Sequence, residues 1–165
     1  MTVYIENELE FQFNFDYEQV AKKVVEAVLD TEKCPYEAEV NIDLSDDDYV
    51  REINKKFRNK DSSTDVLSFP LVEFTKPAEY DILKGDKVSY FDHDSGELML
   101  GDIVISIPTA IKQAGEYRHD LKREYAFLIT HSVLHLLGYD HLDEAQAKVM
   151  EIKQEAILSA LQIER

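Results

Sequence analysis

The segment Ala38-Glu39-Val40-Asn41-Ile42-Asp43-Leu44-Ser45 decides how this chain is to be read. Apolar and polar residues alternate along it. Successive strand side chains point to opposite faces, so the pattern predicts a strand buried on one side. Asp46-Asp47-Asp48 follows at once, and Ser45 can cap a helix whose first turn places these carboxylates near the positive end of its dipole. The acidic run therefore reads as a helix start and not as a metal site, because three successive helical side chains splay too widely to converge on one ion. A strand feeding a helix is the unit of an α/β protein, and the rest of the chain repeats it.

Towards the N-terminus, residues 3–5 read as a short strand. A helix over about 16–29 follows, where Val20, Val24, Ala27 and Val28 recur at helical spacing. In the other direction, the helix begun at Asp46 is expected to end near Phe57, with a polar turn over 59–63 leading into a strand over 66–69. Residues 72–97 are polar and broken by Pro77, Gly85 and Gly96, and read as a long loop or an irregular hairpin. A strand resumes over 98–105, and Ser106 followed by Pro108 marks another helix start. Two helices close the chain, one over about 121–137 that stops at Gly138, the other over about 143–161. With 165 residues and no linker, repeat or low-complexity stretch, the expectation is one α/β (α+β) domain over 1–165. Its mixed sheet has about four strands covered by helices.

Composition narrows the setting. No apolar run approaches the roughly 20 residues of a membrane span, and Glu6, Glu8 and Glu10 stand where a signal peptide needs a basic start. A cytoplasmic protein without a membrane partner is expected. Cys34 is the only cysteine, so it reads as a small, partly buried hydrophobe in a reducing compartment. Eighteen Lys and Arg against 34 Asp and Glu give a net charge of −16, which by itself speaks against a nucleic-acid partner. The cations are unevenly spread, however, with Arg51, Lys55, Lys56, Arg58 and Lys60 in one run and Arg118, Lys122 and Arg123 in another. Solvated helix faces and a local basic cleft on an acidic body both fit these runs.

The chemistry sits where the first closing helix stops. His131 and His135 are four residues apart, about 40° of helical rotation, so both imidazoles leave one face. Gly138 can then turn the chain in a left-handed conformation, and Tyr139-Asp140 brings His141 back over that face as a third ligand. Three neutral imidazoles and an open fourth position describe a catalytic zinc. His93 and His119 each stand alone and read as surface or structural residues.

The spacing H-x-x-x-H-x-x-G-x-x-H is also that of zinc metalloproteases, which place a glutamate directly after the first histidine to take a proton from water. Here that residue is Ser132, and no carboxylate lies between His131 and His135. Met150, the only downstream methionine, falls inside a helical pattern. Peptide hydrolysis thus lacks its proton acceptor. Phosphodiester cleavage accumulates charge on phosphoryl oxygens, which a metal ion and an arginine can stabilise between them.

The stretch His131-Ser132-Val133-Leu134-His135-Leu136-Leu137-Gly138-Tyr139-Asp140-His141 resembles the signature of the YbeY family of metal-dependent endoribonucleases. Arg58-Asn59-Lys60-Asp61-Ser62-Ser63-Thr64-Asp65-Val66-Leu67-Ser68-Phe69-Pro70 resembles the family's T-D-V-L-S-F strand with its preceding arginine. Gly101-Asp102-Ile103-Val104-Ile105-Ser106 resembles a third element. The resemblance implies one zinc per chain on His131, His135 and His141, and Arg58 as the catalytic or phosphate-binding arginine. It implies single-stranded RNA as substrate, in 16S ribosomal RNA 3′-end maturation and ribosome quality control. Partners would be ribosomal RNA and the ribosome or its assembly proteins, with no DNA. The chain departs from the family pattern at Ser132, where glycine is usual, and in the length of 72–97.

Arg58 also has a case of its own, since it closes a basic run at a helix end beside a polar turn, where α/β folds gather functional loops. Lys60 is a weaker candidate for a phosphate contact. Asp140 is a candidate for orienting a ligand histidine, and Asp65 reads as capping its turn. Two alternatives remain at this point, a zinc metalloprotease-like hydrolase and a non-catalytic zinc-containing ribosome-assembly factor. Ser132 speaks against the first. Arg58 speaks against the second, because a structural zinc does not need it.

Overall fold

Three parallel strands carry the structure, a computed structural model that describes residues 1–85 and 87–163. Thr2–Asn7 (β1) pairs with Ala38–Ser45 (β2), and β2 pairs with Leu98–Ser106 (β4). Val66–Pro70 (β3) adds antiparallel to the other edge of β4, which makes a mixed four-stranded sheet of order β1-β2-β4-β3. The helix Tyr17–Thr31 (α1) returns the chain from β1 to β2, as a parallel pair requires.

The alternation along β2 does what its pattern predicts. Ala38, Val40, Ile42 and Leu44 are buried in the main core, beneath α1 and the central helix Leu121–Leu136 (α5). Each such Leu or Ile contributes about 1.5–3 kcal/mol when fully removed from water. The other sheet face is covered in part by Asp47–Arg58 (α2), whose Val50 and Ile53 pack on Leu67, Phe69 and Val104. β3 approaches β4 closely at Gly101, where φ is +145° and a Cβ would lie 2.2 Å from the Phe69 carbonyl oxygen. Only glycine fits there.

Helix starts follow the capping residues. The side chains of Asp16, Ser106, Asp120 and Asp143 each accept from the backbone N–H three residues on, opening α1, Ile107–Glu116 (α4), α5 and Glu144–Ala160 (α6). The cap of α2 differs from the sequence expectation. Ser45 ends β2, and Asp46 caps instead, accepting from the Tyr49 N–H at 2.8 Å. A carboxylate makes the stronger, charge-assisted cap, and Ser45 is buried within the sheet. Asp47 then ties α2 to α4 by accepting from the hydroxyls of Ser106 and Thr109.

The described residues of 72–97 form neither a plain loop nor, beyond the antiparallel bridge near their end, a hairpin. They include a 3₁₀ turn, Tyr80–Lys84, and a single helical turn, Lys87–Tyr90 (α3), before Phe91 bridges to Leu98. Val72 and Leu83 enter the main core and anchor the segment. Among the described residues no helix is long and apolar enough to cross a membrane.

Candidate metal centre and its cleft

The site is assembled at the C-terminal end of α5. This helix is buried on most sides by α1, α4, α6 and β3, so its last turns are held rigidly. His131 and His135 occupy the face left partly open. The helix ends when the Leu137 N–H bonds back to Val133 and the Tyr139 N–H to Leu134. Gly138 takes φ +99°, the left-handed turn its type predicts, and the chain folds back. His141 thereby stands beside the other two, its ring centroid 5.1 Å from His135 and 5.6 Å from His131. One ligand atom from each histidine lies within 4.8 Å of the others.

Hydrogen bonds decide which nitrogens face the site. His135 Nδ1 lies 2.8 Å from the Tyr139 carbonyl oxygen, which can only accept, so the proton sits on Nδ1. His131 Nδ1 lies 2.6 Å from Oε1 of Gln154 on α6 in the same sense. Both Nε2 atoms are then bare acceptors, and they face each other at 3.0 Å. Two lone pairs this close repel unless a cation shares them. Tetrahedral zinc at about 2.0–2.1 Å from each nitrogen sets them about 3.3 Å apart, so the donor set fits such an ion with small side-chain adjustment. Burial and the neighbouring His131 push His135 down to about 4, which keeps it neutral and able to ligate near pH 7. Burial also lowers His131.

The three histidines open into a cleft of about 870 Å³. Its walls come from β3, residues 72–74, α5 and the turn 138–141, and Arg58 at the end of α2 stands at its edge. Asn59 in the left-handed conformation (φ 57°, ψ 34°) stops α2 and sets Arg58 there. The Asn54 side chain donates to the Ser62 carbonyl at 2.8 Å and secures the turn that follows. Arg58 is exposed, has no ion pair among the described residues, and is the one cation among those lining the cleft. Asp65, Glu73 and Asp140 line it as well.

Other sequence candidates fall out differently. The basic runs do not form a cleft wall: Lys60 is exposed outside it, and Arg51 pairs with Asp61 at 2.7 Å. Arg123 is not a solvated helix residue. It is buried, donating to the Ile163 carbonyl and to Glu155, because its side of α5 packs towards α6 and the residues after it. Asp140 makes no hydrogen bond to an imidazole among the described residues; one of its carboxylate oxygens accepts from the N–H of its neighbour His141 at 2.8 Å. Asp65 does cap its turn, accepting from the Val66 N–H at 2.8 Å. His119 is structural, bonded to the buried Glu124 at 2.7 Å, and His93 is exposed. Cys34 is partly buried, and burial raises its thiol, which leaves it unreactive.

Ser132 speaks against the protease alternative. Its side chain is fully buried and its hydroxyl has no partner, so a glutamate here would lie unpaired in the core and not over the cleft.

The model of the family described as Endoribonuclease YbeY matches residues 4–162. The chain belongs to the YbeY endoribonuclease family. It is 52% identical to the Endoribonuclease YbeY of Agathobacter rectalis and 48% identical to that of Lachnoclostridium phytofermentans, each over 100% of both chains. Against the Endoribonuclease YbeY of Acetivibrio thermocellus it is 43% identical over 100% of this chain and 99% of that one. Among solved structures, the solution structure of TM1509 from Thermotoga maritima is similar in fold. The TM-score is 0.57 at 22% sequence identity, over 98% of this chain and 92% of that one. The matched residues include all those that line the cleft.

Proposed function

We propose that this chain is a zinc-dependent endoribonuclease that hydrolyses single-stranded RNA, with His131, His135 and His141 as metal ligands and Arg58 as the catalytic cation. The observation that carries the reading is the meeting of three inward-facing histidines with one unpaired arginine at a single cleft. Ribosomal RNA at its 3′-end maturation is the substrate that membership of the family favours, in the cytoplasm and with the ribosome or its assembly proteins as partners.

When bound, zinc supplies a Lewis acid for a phosphoryl oxygen and brings the ionisation of water to about pH 7. The chain's own residues do the rest. The Tyr139 carbonyl and Gln154 hold the imidazoles in the tautomer that presents Nε2. The planar guanidinium of Arg58 can hold two phosphate oxygens at once and meet the charge that grows on them. Asp65, Glu73 and Asp140 repel a polyanion, so RNA enters productively only where Arg58 and the metal offset them. Phe74 and Phe127 line the cleft wall, where an aromatic side chain can meet an unstacked base, which supports a single-stranded substrate.

The test is metal content after dialysis of the wild type and of His131→Ala, His135→Ala and His141→Ala. About one zinc per wild-type chain and sharp loss in each variant is the expected result. Full occupancy in His135→Ala overturns the site.

A further inference from the structure

The two hydrogen bonds that orient His131 and His135 come from different elements, one from the turn after α5 and the other from α6. A single buried carboxylate holds both elements. Glu32 follows the last turn of α1, and its side chain is only 3% exposed. One of its oxygens accepts from the Tyr139 hydroxyl. The other accepts from Lys153 Nζ at 2.9 Å. The Lys153 ammonium also lies 5.2 Å from the centre of the Tyr139 ring, which closes the triangle. Tyr80 adds a third tie, its hydroxyl donating to the Glu32 carbonyl at 2.9 Å.

We infer that Glu32, Tyr139 and Lys153 form a positioning triad for the metal centre; the inference rests on the three-histidine site proposed above. Tyr139 is tied at both ends, its side chain to Glu32 and its carbonyl to His135 Nδ1. It is also two residues from His141, so fixing its ring fixes the turn that carries the third ligand. Lys153 directly precedes Gln154, whose side chain holds His131 Nδ1. One carboxylate just past the end of α1 thereby sets the acceptor of each α5 imidazole through a separate arm.

The geometry asks more of these residues than stability. A buried carboxylate with both oxygens in charge-assisted or hydroxyl bonds is satisfied wherever it sits. Nothing in packing requires its two partners to be the residues adjoining both imidazole acceptors. Groups bonded directly to metal ligands typically change metal affinity by about 10- to 100-fold when removed, and residues that act through those groups are expected at the lower end of that range. Glu32 and Lys153 lie outside the cleft, and although Tyr139 lines it, its hydroxyl is held by Glu32, so the three are positioning residues and not catalytic ones.

The experiment uses zinc alone and no RNA. Full-length wild type, Tyr139→Phe, Glu32→Gln and His135→Ala are titrated with zinc against a chromophoric chelator, at a temperature where each is folded. The visible spectrum of the cobalt-substituted proteins is recorded beside it as a measure of ligand geometry. Tyr139→Phe keeps the ring and removes only the hydroxyl, so it remains informative where Glu32→Gln folds poorly. Expected is about a tenfold or greater loss of zinc affinity in Tyr139→Phe with an altered cobalt spectrum, and near abolition in His135→Ala. Zinc affinity within twofold of wild type and an unchanged cobalt spectrum in Tyr139→Phe, with His135→Ala still inactive in binding, overturns the triad and leaves the metal site standing. Wild-type affinity in His135→Ala overturns the site and the triad together.

Discussion

Substituting Gly138→Ala probes the turn on which the metal centre depends. At φ +99° a residue with a Cβ is strained by about 1–2 kcal/mol. The added methyl also meets Phe74 Cβ at 2.8 Å and Pro77 Cα at 3.4 Å. Phe74 Cβ is fixed to its backbone and cannot rotate away, so the turn and residues 74–77 must move apart, at about 1–3 kcal/mol for an overpacked contact. The two costs total about 2–5 kcal/mol, which for a domain of this size lowers Tm by roughly 5–15 °C. Separation of the turn also shifts His141 from its partners, so zinc affinity should fall with stability. Urea unfolding of the metal-free proteins reads the first effect and chelator-competition titration the second. Unfolding free energy within about 0.5 kcal/mol of wild type, together with unchanged zinc affinity, would refute the claim that this backbone conformation assembles the site.

Three further substitutions separate the parts of the account. Arg58→Ala should keep zinc and fold but lose RNA cleavage by about 10²-fold, as for removal of an oxyanion donor, with Arg58→Lys recovering part; cleavage rates at matched zinc content check it. Ser132→Ala removes a buried hydroxyl without a partner and installs a better helix former, so equilibrium unfolding should show equal or higher stability, by up to about 1 kcal/mol. Asp43 is pushed up to about 6 by burial and by Glu8 and Glu6. An acid raised in the folded state favours folding while protonated, so its contribution is lost as pH rises from about 4 through 6. Asp43→Asn should accordingly be more stable than wild type at pH 8, by about 1 kcal/mol once solvent screening of this half-exposed group is allowed for. The gain should vanish near pH 4, which denaturant midpoints across that range measure.

Much of the fold was legible because its signals are local. The two-residue period of 38–44, the helix start at Ser106 and the helix-ending Gly138 each act within a few residues of themselves. The clustering of His131, His135 and His141 was legible for the same reason, two sharing a helix face and the third following the Gly138 turn. What supports them was not. Gln154 meets His131 across 23 positions and Glu32 meets Tyr139 across 107, and pairings of that separation leave no periodicity. A faint signal existed in Gln154, a polar residue among the buried Met150, Ile157 and Leu158 of α6. Arg123 misled because a basic residue in a charged run reads as solvated, whereas α5 lies at the centre of the molecule. Residues 72–97 were unreadable because Leu83 and Val72 anchor them singly, without a repeat.

The most direct test of the central claim is cleavage of a labelled single-stranded RNA by metal-stripped protein, before and after one equivalent of zinc. A metal-dependent nuclease built on His131, His135 and His141 predicts no cleavage by the stripped protein, recovery on adding zinc, and no recovery in His135→Ala. Equal cleavage by stripped and zinc-restored wild type, or by His135→Ala, would contradict it.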